Sequence, residues 1–171
     1  MISEKMQKAL VEQINAEFFS GYLYLSMAAY CESLNFEGFA NWMEVQAQEE
    51  LSHGMKIYRY VNERGGRVEL GAIDKPDTQW KDLIAVFDQV YSHEQKVTGL
   101  IYNLVSIARE EKDYATESFL SWFVDEQVEE EANASGLLEK IRFVEGKGAA
   151  IMMLDAELKN RVFVNEALAE E

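Results

Sequence analysis

Six polar residues stand where apolar helical stripes would otherwise continue, and they recur at one fixed spacing: Glu17, Glu50, His53, Glu94, Gln127 and Glu130. They form three pairs whose members are 77 positions apart, namely Glu17 with Glu94, Glu50 with Gln127, and His53 with Glu130. Glu49 and Glu126 share this spacing. The second half of the chain thus repeats the first, with Gln-x-x-Glu in place of Glu-x-x-His. A duplicated set of carboxylates with one imidazole is the chemistry of a two-metal site.

The neighbours of these residues predict where they lie, because residues three or four positions apart share one face of a helix. Each of the polar residues continues an apolar stripe, and none of the four stripes carries a Lys or Arg. The four stripes are Leu10, Ile14, Glu17, Gly21, Tyr24 and Ala28; Phe39, Met43, Gln46, Glu50, His53, Ile57 and Tyr60; Leu83, Phe87, Val90, Glu94, Val97, Ile101, Leu104 and Ala108; and Leu120, Phe123, Gln127, Glu130, Ala134, Leu137 and Ile141. The acids are therefore predicted to face the core of a helical bundle.

Acids on core faces need a partner. An unpaired buried carboxylate costs several kcal/mol, while the net stability of a domain is only about 5–15 kcal/mol. With no basic residue on the stripes, the acids must be protonated or must surround a cation. Clustered Glu with a single His suits iron or manganese better than zinc or copper, which favour more nitrogen and sulfur. Four independent helices with polar surface positions would leave the shared spacing unexplained.

Composition limits the other possibilities. The 171 residues are expected to form one domain, and 48% hydrophobic residues with a single proline, Pro76, favour a nearly all-helical protein. The lone Cys31 excludes an internal disulfide and a Cys-x-x-Cys metal site. A net charge of −15 without a basic run argues against binding nucleic acid or anionic membranes. With no signal-like or membrane-spanning segment, we expect a cytoplasmic protein.

Breaks in the helical pattern predict the order of the elements. A bundle over about 3–144 contains four helices, which are expected to run from Ser3 to Ser33, from after Phe36 to about Arg64, from Trp80 to about Glu111, and on to about Val144. A short fifth helix is expected over about 148–162. Glu17 and Glu50 lie at equal distances from the first turn, and Glu94 and Gln127 from the second, so each antiparallel hairpin brings its own polar residues level.

The segment from Gly66 to Gln79 is the one long irregular stretch between helices. Joining the second and third helices in parallel requires a link of roughly 43 Å at 1.5 Å per residue, and fourteen extended residues reach about 46 Å. The segment can therefore cross the whole bundle. This predicts a four-helix bundle with one long crossover rather than a simple up-and-down topology.

In these features the chain resembles the prokaryotic non-haem ferritins, over nearly its full length. The residues that carry the resemblance are Glu17 with Tyr24, Glu49-Glu50-x-x-His53, Glu94, and Glu126-Gln127-x-Glu129-Glu130. A lone Glu-x-x-His would be weak evidence. All the motifs together, in register with the helices, are specific.

The resemblance implies a ferroxidase that oxidises Fe(II) with dioxygen or peroxide and stores the ferric product as a mineral in a hollow homo-oligomeric shell of 24 chains. By match, Glu17, Glu50 and His53 would hold the first iron, and Glu94, Glu130 and bridging Glu50 the second. Gln127 would be a weak ligand or a hydrogen-bond partner, and Tyr24 would bond a ligand or supply an electron. A third iron would be held by Glu49, Glu126, Glu129 and the shared Glu130.

Departures from neighbouring families narrow this interpretation. Bacterioferritins have a haem-binding Met after the first motif's Glu and a second Glu-x-x-His, whereas here Leu51 follows Glu50 and the second motif is Gln-x-x-Glu, so no haem is expected. Rubrerythrins need an added four-cysteine domain, which a chain with one cysteine cannot supply.

The alternative function is a di-iron oxidase acting on an organic substrate or on peroxide without storing mineral. The fifth helix and the cluster at Glu49, Glu126 and Glu129 favour storage.

Overall fold

The computed structural model describes residues 1–165 and 167, and those residues form α-helices joined by irregular segments, with no β-strand. The helices are Glu4–Ser33 (α1), Glu37–Glu63 (α2), Leu83–Glu110 (α3), Tyr114–Phe143 (α4) and Gly148–Leu158 (α5). In the described part of the chain, no helix combines the length and the apolarity needed to cross a membrane. The predicted all-α bundle is confirmed.

Side-chain caps explain where three helices begin. Ser3 accepts a hydrogen bond from the backbone N–H of Met6, Asp82 from that of Ala85, and Asp113 from that of Thr116. These side chains satisfy amide groups that have no partner inside the first turn of a helix. Because Asp82 is the cap, α3 begins three residues later than the predicted start at Trp80. The predicted end of α5 at about 162 was wrong, since the helix ends at Leu158.

The two hairpin turns have the same local conformation. Asn35, between α1 and α2, has φ of 60°, and Lys112, between α3 and α4, has φ of 57°. This left-handed region is uncommon for residues other than glycine, and here it reverses the chain within a few residues. The two residues are 77 positions apart, so the spacing of the polar residues extends to the turns.

The link over residues 64–82 runs along the length of α1. Its early residues contact the start of that helix, since Arg67 N–H donates to the Gln7 side chain at 3.2 Å. Its later residues contact the end, where Tyr30 donates its hydroxyl hydrogen to the Trp80 carbonyl at 2.8 Å. Between them, Gly71 N–H donates to Asn15 at 3.3 Å. The predicted long crossover is confirmed, and it places α3 parallel to α2.

The apolar core is divided into two clusters by a layer of polar residues. One cluster, which includes Met27, Phe39 and Phe87, contains the buried thiol of Cys31. The other surrounds Ile14 and Ile101. The four predicted stripes are buried throughout, apart from the half-buried Tyr60. The polar members of the stripes lie between the clusters, at mid-height in the bundle.

The fifth helix is fixed to the start of α2 by a buried carboxylate that the sequence pattern did not single out. Asp155 accepts hydrogen bonds from the backbone N–H groups of Gly38 and Phe39, at 2.8 and 3.0 Å. The first turn of a helix offers such unpaired donors and favours a negative charge. The backbone of α5 approaches so closely that a Cβ at Gly38 would lie 1.7 Å from the Asp155 carbonyl oxygen.

Candidate metal centre

Three of the predicted ligands converge inside the bundle. Glu17 comes from α1, and Glu50 and His53 come from successive turns of α2; all three side chains are buried. One ligand atom from each lies within 4.8 Å of the other two. His53 Nδ1 is 3.9 Å from Glu50 Oε2. The arrangement offers two carboxylate oxygens and an imidazole nitrogen to a single ion.

The second hairpin supplies the opposite side of the centre. Glu94 on α3 and Glu130 on α4 are also buried, and their charges act on Glu50. Gln127, one turn before Glu130, donates its amide hydrogens to the Glu94 carboxylate at 3.4 Å and to the Thr98 hydroxyl at 3.3 Å. Gln127 is thus a hydrogen-bond partner of Glu94 in this structure. Four acids from four helices surround one region of the core.

Burial makes the ionised forms of these acids unfavourable. It raises the pKa of Glu94 to about 7, and it raises the pKa of Glu17 as well. The pKa values of Glu50 and Glu130 lie well above the usual range, because burial is reinforced by the charge of Glu94. A cation among these carboxylates would reverse the effect by stabilising their ionised forms.

Two observations bear directly on whether an ion fits. Glu17 Oε2 and Glu50 Oε2 are buried, and among the described residues no backbone N–H or other side chain donates a hydrogen bond to either; the two carboxyl groups interact with each other. Buried polar atoms nearly always have a hydrogen-bond donor or acceptor, so two such oxygens on side chains whose ligand atoms lie within 4.8 Å of one another fit an ion bound between them. Burial also lowers the pKa of His53 to about 4, so its imidazole is neutral and has a lone pair to donate. Carboxylate oxygens with one imidazole suit iron.

Other polar side chains orient the ligands. Gln13 donates a hydrogen bond to Glu17 at 2.8 Å, and Gln46 donates one to Glu130 at 2.9 Å. Tyr24 donates its hydroxyl hydrogen to Glu94. Such contacts hold the carboxyl groups in fixed positions, as the hydrogen-bond partners of metal ligands do. Gln46 belongs to the second predicted stripe, but the pattern predicts no role for it. Gln13 lies one turn before Glu17, where a polar residue is common on a helix, so the pattern does not identify it.

His93 adjoins Glu94 in the sequence but lies on a different face of the helix, which predicts an ordinary surface residue; in the structure it packs against α1 instead. Its ring is half-buried, its Nε2 lies 2.7 Å from Ser20 Oγ, and its plane meets that of Tyr24 edge-on, with ring centroids 6.3 Å apart. Burial lowers its pKa to about 4. Its position beside Glu94 in the sequence was the available signal. The pairing with Ser20 depends on how α1 and α3 pack.

The predicted third cluster lines a small cavity next to the centre. Glu49, Glu126, Glu129 and Glu130 line it together with His53, and its volume is about 50 Å³. His53 Nε2 lies 3.9 Å from Glu126 Oε1. Glu129 is exposed, whereas Glu49 and Glu126 are half-buried. Glu49 forms an ion pair with Arg161, a residue that the sequence pattern did not associate with the site.

A four-helix bundle with one long crossover and a core of four carboxylates and an imidazole defines a ferritin-like metal-binding protein. The sequence profile described as "Ferritin-like domain" matches residues 7–144. The chain belongs to the ferritin family.

Individual ferritins are similar to this chain in sequence and structure over nearly its whole length. The bacterial non-heme ferritin of Staphylococcus aureus (strain MRSA252) is 43% identical over 166 residues, which cover 97% of this chain and 100% of that protein. An engineered closed form of Archaeoglobus fulgidus ferritin superposes with a TM-score of 0.95 at 53% identity, covering 96% of this chain and 100% of the other. The open-pore ferritin of A. fulgidus gives a TM-score of 0.93 at 52% identity, over 95% and 100%.

Proposed function

We propose that this chain is an iron-storage protein with ferroxidase activity. It oxidises Fe(II) with dioxygen or hydrogen peroxide at a centre inside each chain, and it stores Fe(III) as a mineral inside a homo-oligomeric shell. The observation that carries the proposal is the convergence of Glu17, Glu50 and His53, with two buried carboxylate oxygens that receive no hydrogen bond from any donor in the described part of the chain. Iron is here the substrate and the stored product.

In this proposal the first Fe(II) is bound by Glu17, Glu50 and His53. The neutral imidazole needs no deprotonation, and Gln13 holds Glu17 in place. The second Fe(II) is bound by Glu94, Glu130 and the bridging Glu50. Gln127 donates a hydrogen bond beside this second position, to Glu94 or to a bound water or oxygen species.

The binding of Fe(II) and its oxidation both depend on the charge of the carboxyl groups in the centre. The raised pKa values mean that incoming Fe(II) displaces protons from the carboxyl groups. Two Fe(II) ions then give up one electron each, and these electrons with two protons reduce one dioxygen to hydrogen peroxide or one hydrogen peroxide to two waters. We infer that Tyr24, which donates a hydrogen bond to Glu94, supplies one more electron when dioxygen is reduced beyond peroxide, and that a further Fe(II) reduces it again. Hard anionic oxygens stabilise Fe(III) over Fe(II). Because Glu130 stands where a second His would stand by the 77-residue repeat, the second position is more anionic, and it releases oxidised iron to the mineral.

Two further parts of the proposal concern what surrounds the centre. Glu49, Glu126, Glu129 and Glu130 form a third iron site, supported by their shared cavity. The whole chain, residues 1–171, acts as one domain and assembles into a shell of 24 copies. Support comes from the relatives named as ferritins and from an apolar groove of about 620 Å³ between α4 and α5, lined by residues such as Phe143 and Met153.

The test is anaerobic loading of the metal-free protein with Fe(II), followed by admission of air. Ferric absorbance gives the rate, and the mass and iron content of the eluted particle give the capacity. We expect a fast phase followed by hundreds of iron atoms co-eluting with a large assembly. Glu50→Ala should abolish the fast phase, whereas Glu44→Ala, at an exposed position of the same helix, should keep it.

The same experiment separates storage from the alternative function. Saturation at two or three iron atoms per chain, without mineral, would identify a di-iron oxidase that acts on an organic substrate or on peroxide. An unchanged fast phase in Glu50→Ala would remove the proposed centre altogether. In that case the buried acids would have to be explained by protonation alone.

A further inference from the structure

The described residues after α5 run back along α2, next to the cavity of the third cluster. We call residues 159–165 and 167 the strap. Asn41 on α2 donates hydrogen bonds to the carbonyl oxygens of Leu158 and Arg161, at 3.0 and 2.9 Å. Farther along, Lys56 donates to the Ala167 carbonyl at 3.1 Å. Both ends of the strap are therefore tied to α2, and its Val164 and Ala167 line the cavity.

Among the described residues, Arg161 is the one Lys or Arg side chain that lines this cavity. Its Nη2 lies 2.7 Å from Glu49 Oε2, and both side chains are mostly buried, with 24% and 18% of their surface exposed. Its Nη1 donates to the Trp42 carbonyl at 3.2 Å, and its guanidinium lies 4.9 Å from the centroid of the Trp42 ring. These contacts hold the positive charge in one place, since a guanidinium fork pairs well with a carboxylate and stacks on an aromatic face.

The guanidinium therefore stands among the acids that would hold a third metal ion. It is paired with one of them, Glu49, and its charge also acts on Glu130, which lines the same cavity. Arginine does not lose its proton in proteins, so it can leave this position only by moving. A metal ion can bind Glu49 only in competition with the guanidinium of Arg161, which is part of the chain itself.

We propose that Arg161 is a resident cation of the third cluster, which a metal ion must displace from Glu49 before the cluster can bind it. The strap thereby sets the order in which the sites fill, with the two central positions first and the third only after Arg161 has moved. The stack on Trp42 gives the guanidinium a second partner once Glu49 is released. This inference rests on the third site of the proposed function.

The test uses the metal-free assembly and Mn(II), with free Mn(II) followed by electron paramagnetic resonance in the absence of oxygen. In the unmodified protein we expect two tighter sites and one weaker site per chain. Arg161→Gln should tighten the weakest site by about tenfold. Arg161→Lys keeps the charge but loses the fork, so it should give an intermediate affinity. Lys159→Gln removes the same charge from the strap at a position paired with Glu37, outside the cavity, and should change nothing.

Glu49→Gln distinguishes failure of this inference from failure of the third site. If Glu49→Gln abolishes the weakest site while Arg161→Gln leaves its affinity unchanged, Arg161 is only a structural tie and the inference is wrong. If Glu49→Gln changes none of the sites, there is no third site at Glu49, and both the inference and that part of the proposed function fail. The proposal of two central metal sites does not depend on Glu49, so this result would leave it unchanged.

Discussion

Asp155 Oδ1 lies 2.8 Å from the backbone nitrogen of Gly38, at the point where α5 meets the first turn of α2. The carboxylate replaces an intrahelical partner that the first turn lacks. Only a residue without a side chain fits opposite it, because a Cβ at Gly38 would lie 1.7 Å from the Asp155 carbonyl oxygen. The docking of α5 therefore depends on the hydrogen bond from the Gly38 backbone N–H to the Asp155 carboxylate and on the absence of a side chain at Gly38.

Gly38→Ala is expected to displace α5 and to lower the free energy of unfolding by about 3 kcal/mol, because the added methyl group meets backbone rather than a flexible side chain. Gly99→Ala, inside α3 with no atom near its Cβ, is the matched control. It should raise the free energy of unfolding by about 0.5–1 kcal/mol, since glycine is unfavourable inside a helix. Denaturant unfolding followed by circular dichroism measures both. Equal stability of the two variants would contradict the proposed contact.

The metal-free protein should lose stability as the pH rises towards neutrality. The pKa of Glu94 is about 7 in the folded chain against an ordinary value of 4.5, because the group is buried. Between these values the folded chain keeps a proton that the unfolded chain has lost, so the free energy of unfolding falls as the pH increases. Glu94→Gln should match the unmodified protein at pH 4.5 and exceed it by about 3 kcal/mol at pH 8.

Thermal unfolding of the two metal-free proteins at a series of pH values checks this expectation. Glu44→Gln, at an exposed position, serves as the control and should follow the unmodified protein throughout. If the curves for Glu94→Gln and the unmodified protein ran parallel from pH 4.5 to 8, Glu94 would not titrate in the way its burial implies.

The hydroxyl of Tyr24 should influence metal affinity through its bond to Glu94. That bond lowers the pKa of Glu94 and so partly opposes the effect of burial. In Tyr24→Phe the carboxyl should hold its proton up to a higher pH, and Mn(II) should bind about tenfold more weakly at pH 6.5. The difference should disappear at pH 9, where the proton is lost in both proteins.

Isothermal titration at the two pH values provides the measurement, and Tyr22→Phe, on an exposed face of the same helix, provides the control. A loss of affinity that is equal at both pH values would mean that Tyr24 acts by packing and not through the proton of Glu94.

Cys31 should be unreactive while the chain is folded. The thiol is buried, and burial raises its pKa to about 12, so almost no thiolate is present at neutral pH. A disulfide reagent such as Ellman's should label no thiol in the native protein and one per chain in guanidinium chloride. Ser33→Cys introduces an exposed thiol two residues away and should react at once. Rapid labelling of Cys31 in the native protein would reveal local opening of α1.

Much of the architecture could be predicted because it follows from repetition along the chain. The four stripes of buried residues determined the faces of α1 to α4, and the interruption of those stripes by Glu17, Glu50 and Glu94 placed the polar layer. The length of the irregular segment was enough to predict the crossover. The periodicity of apolar residues predicts the buried face of a long helix well, because several successive turns place apolar residues on the same face.

The parts that could not be predicted depend on contacts between distant segments. Asp155 lies on a helix of eleven residues, too short for its pattern to identify one buried face. Arg161 lies beyond the end of that helix, in a stretch that was predicted to be helical. Its pairing with Glu49 arises only when the chain folds back along α2. No spacing rule connects residues that meet in this way.

Asn35 and Lys112, the residues with positive φ in the two hairpin turns, are 77 positions apart, so the spacing of the polar layer is also the spacing of the turns. One hairpin supplies half of the centre: an acid from its first helix and a motif of two residues from its second. The hairpin is thus the unit of construction, and the link along α1 only sets the direction in which the second unit runs. Two hairpins built on this common plan, with their own residues at the motif positions, bring all six polar residues of the layer to the same height in the bundle.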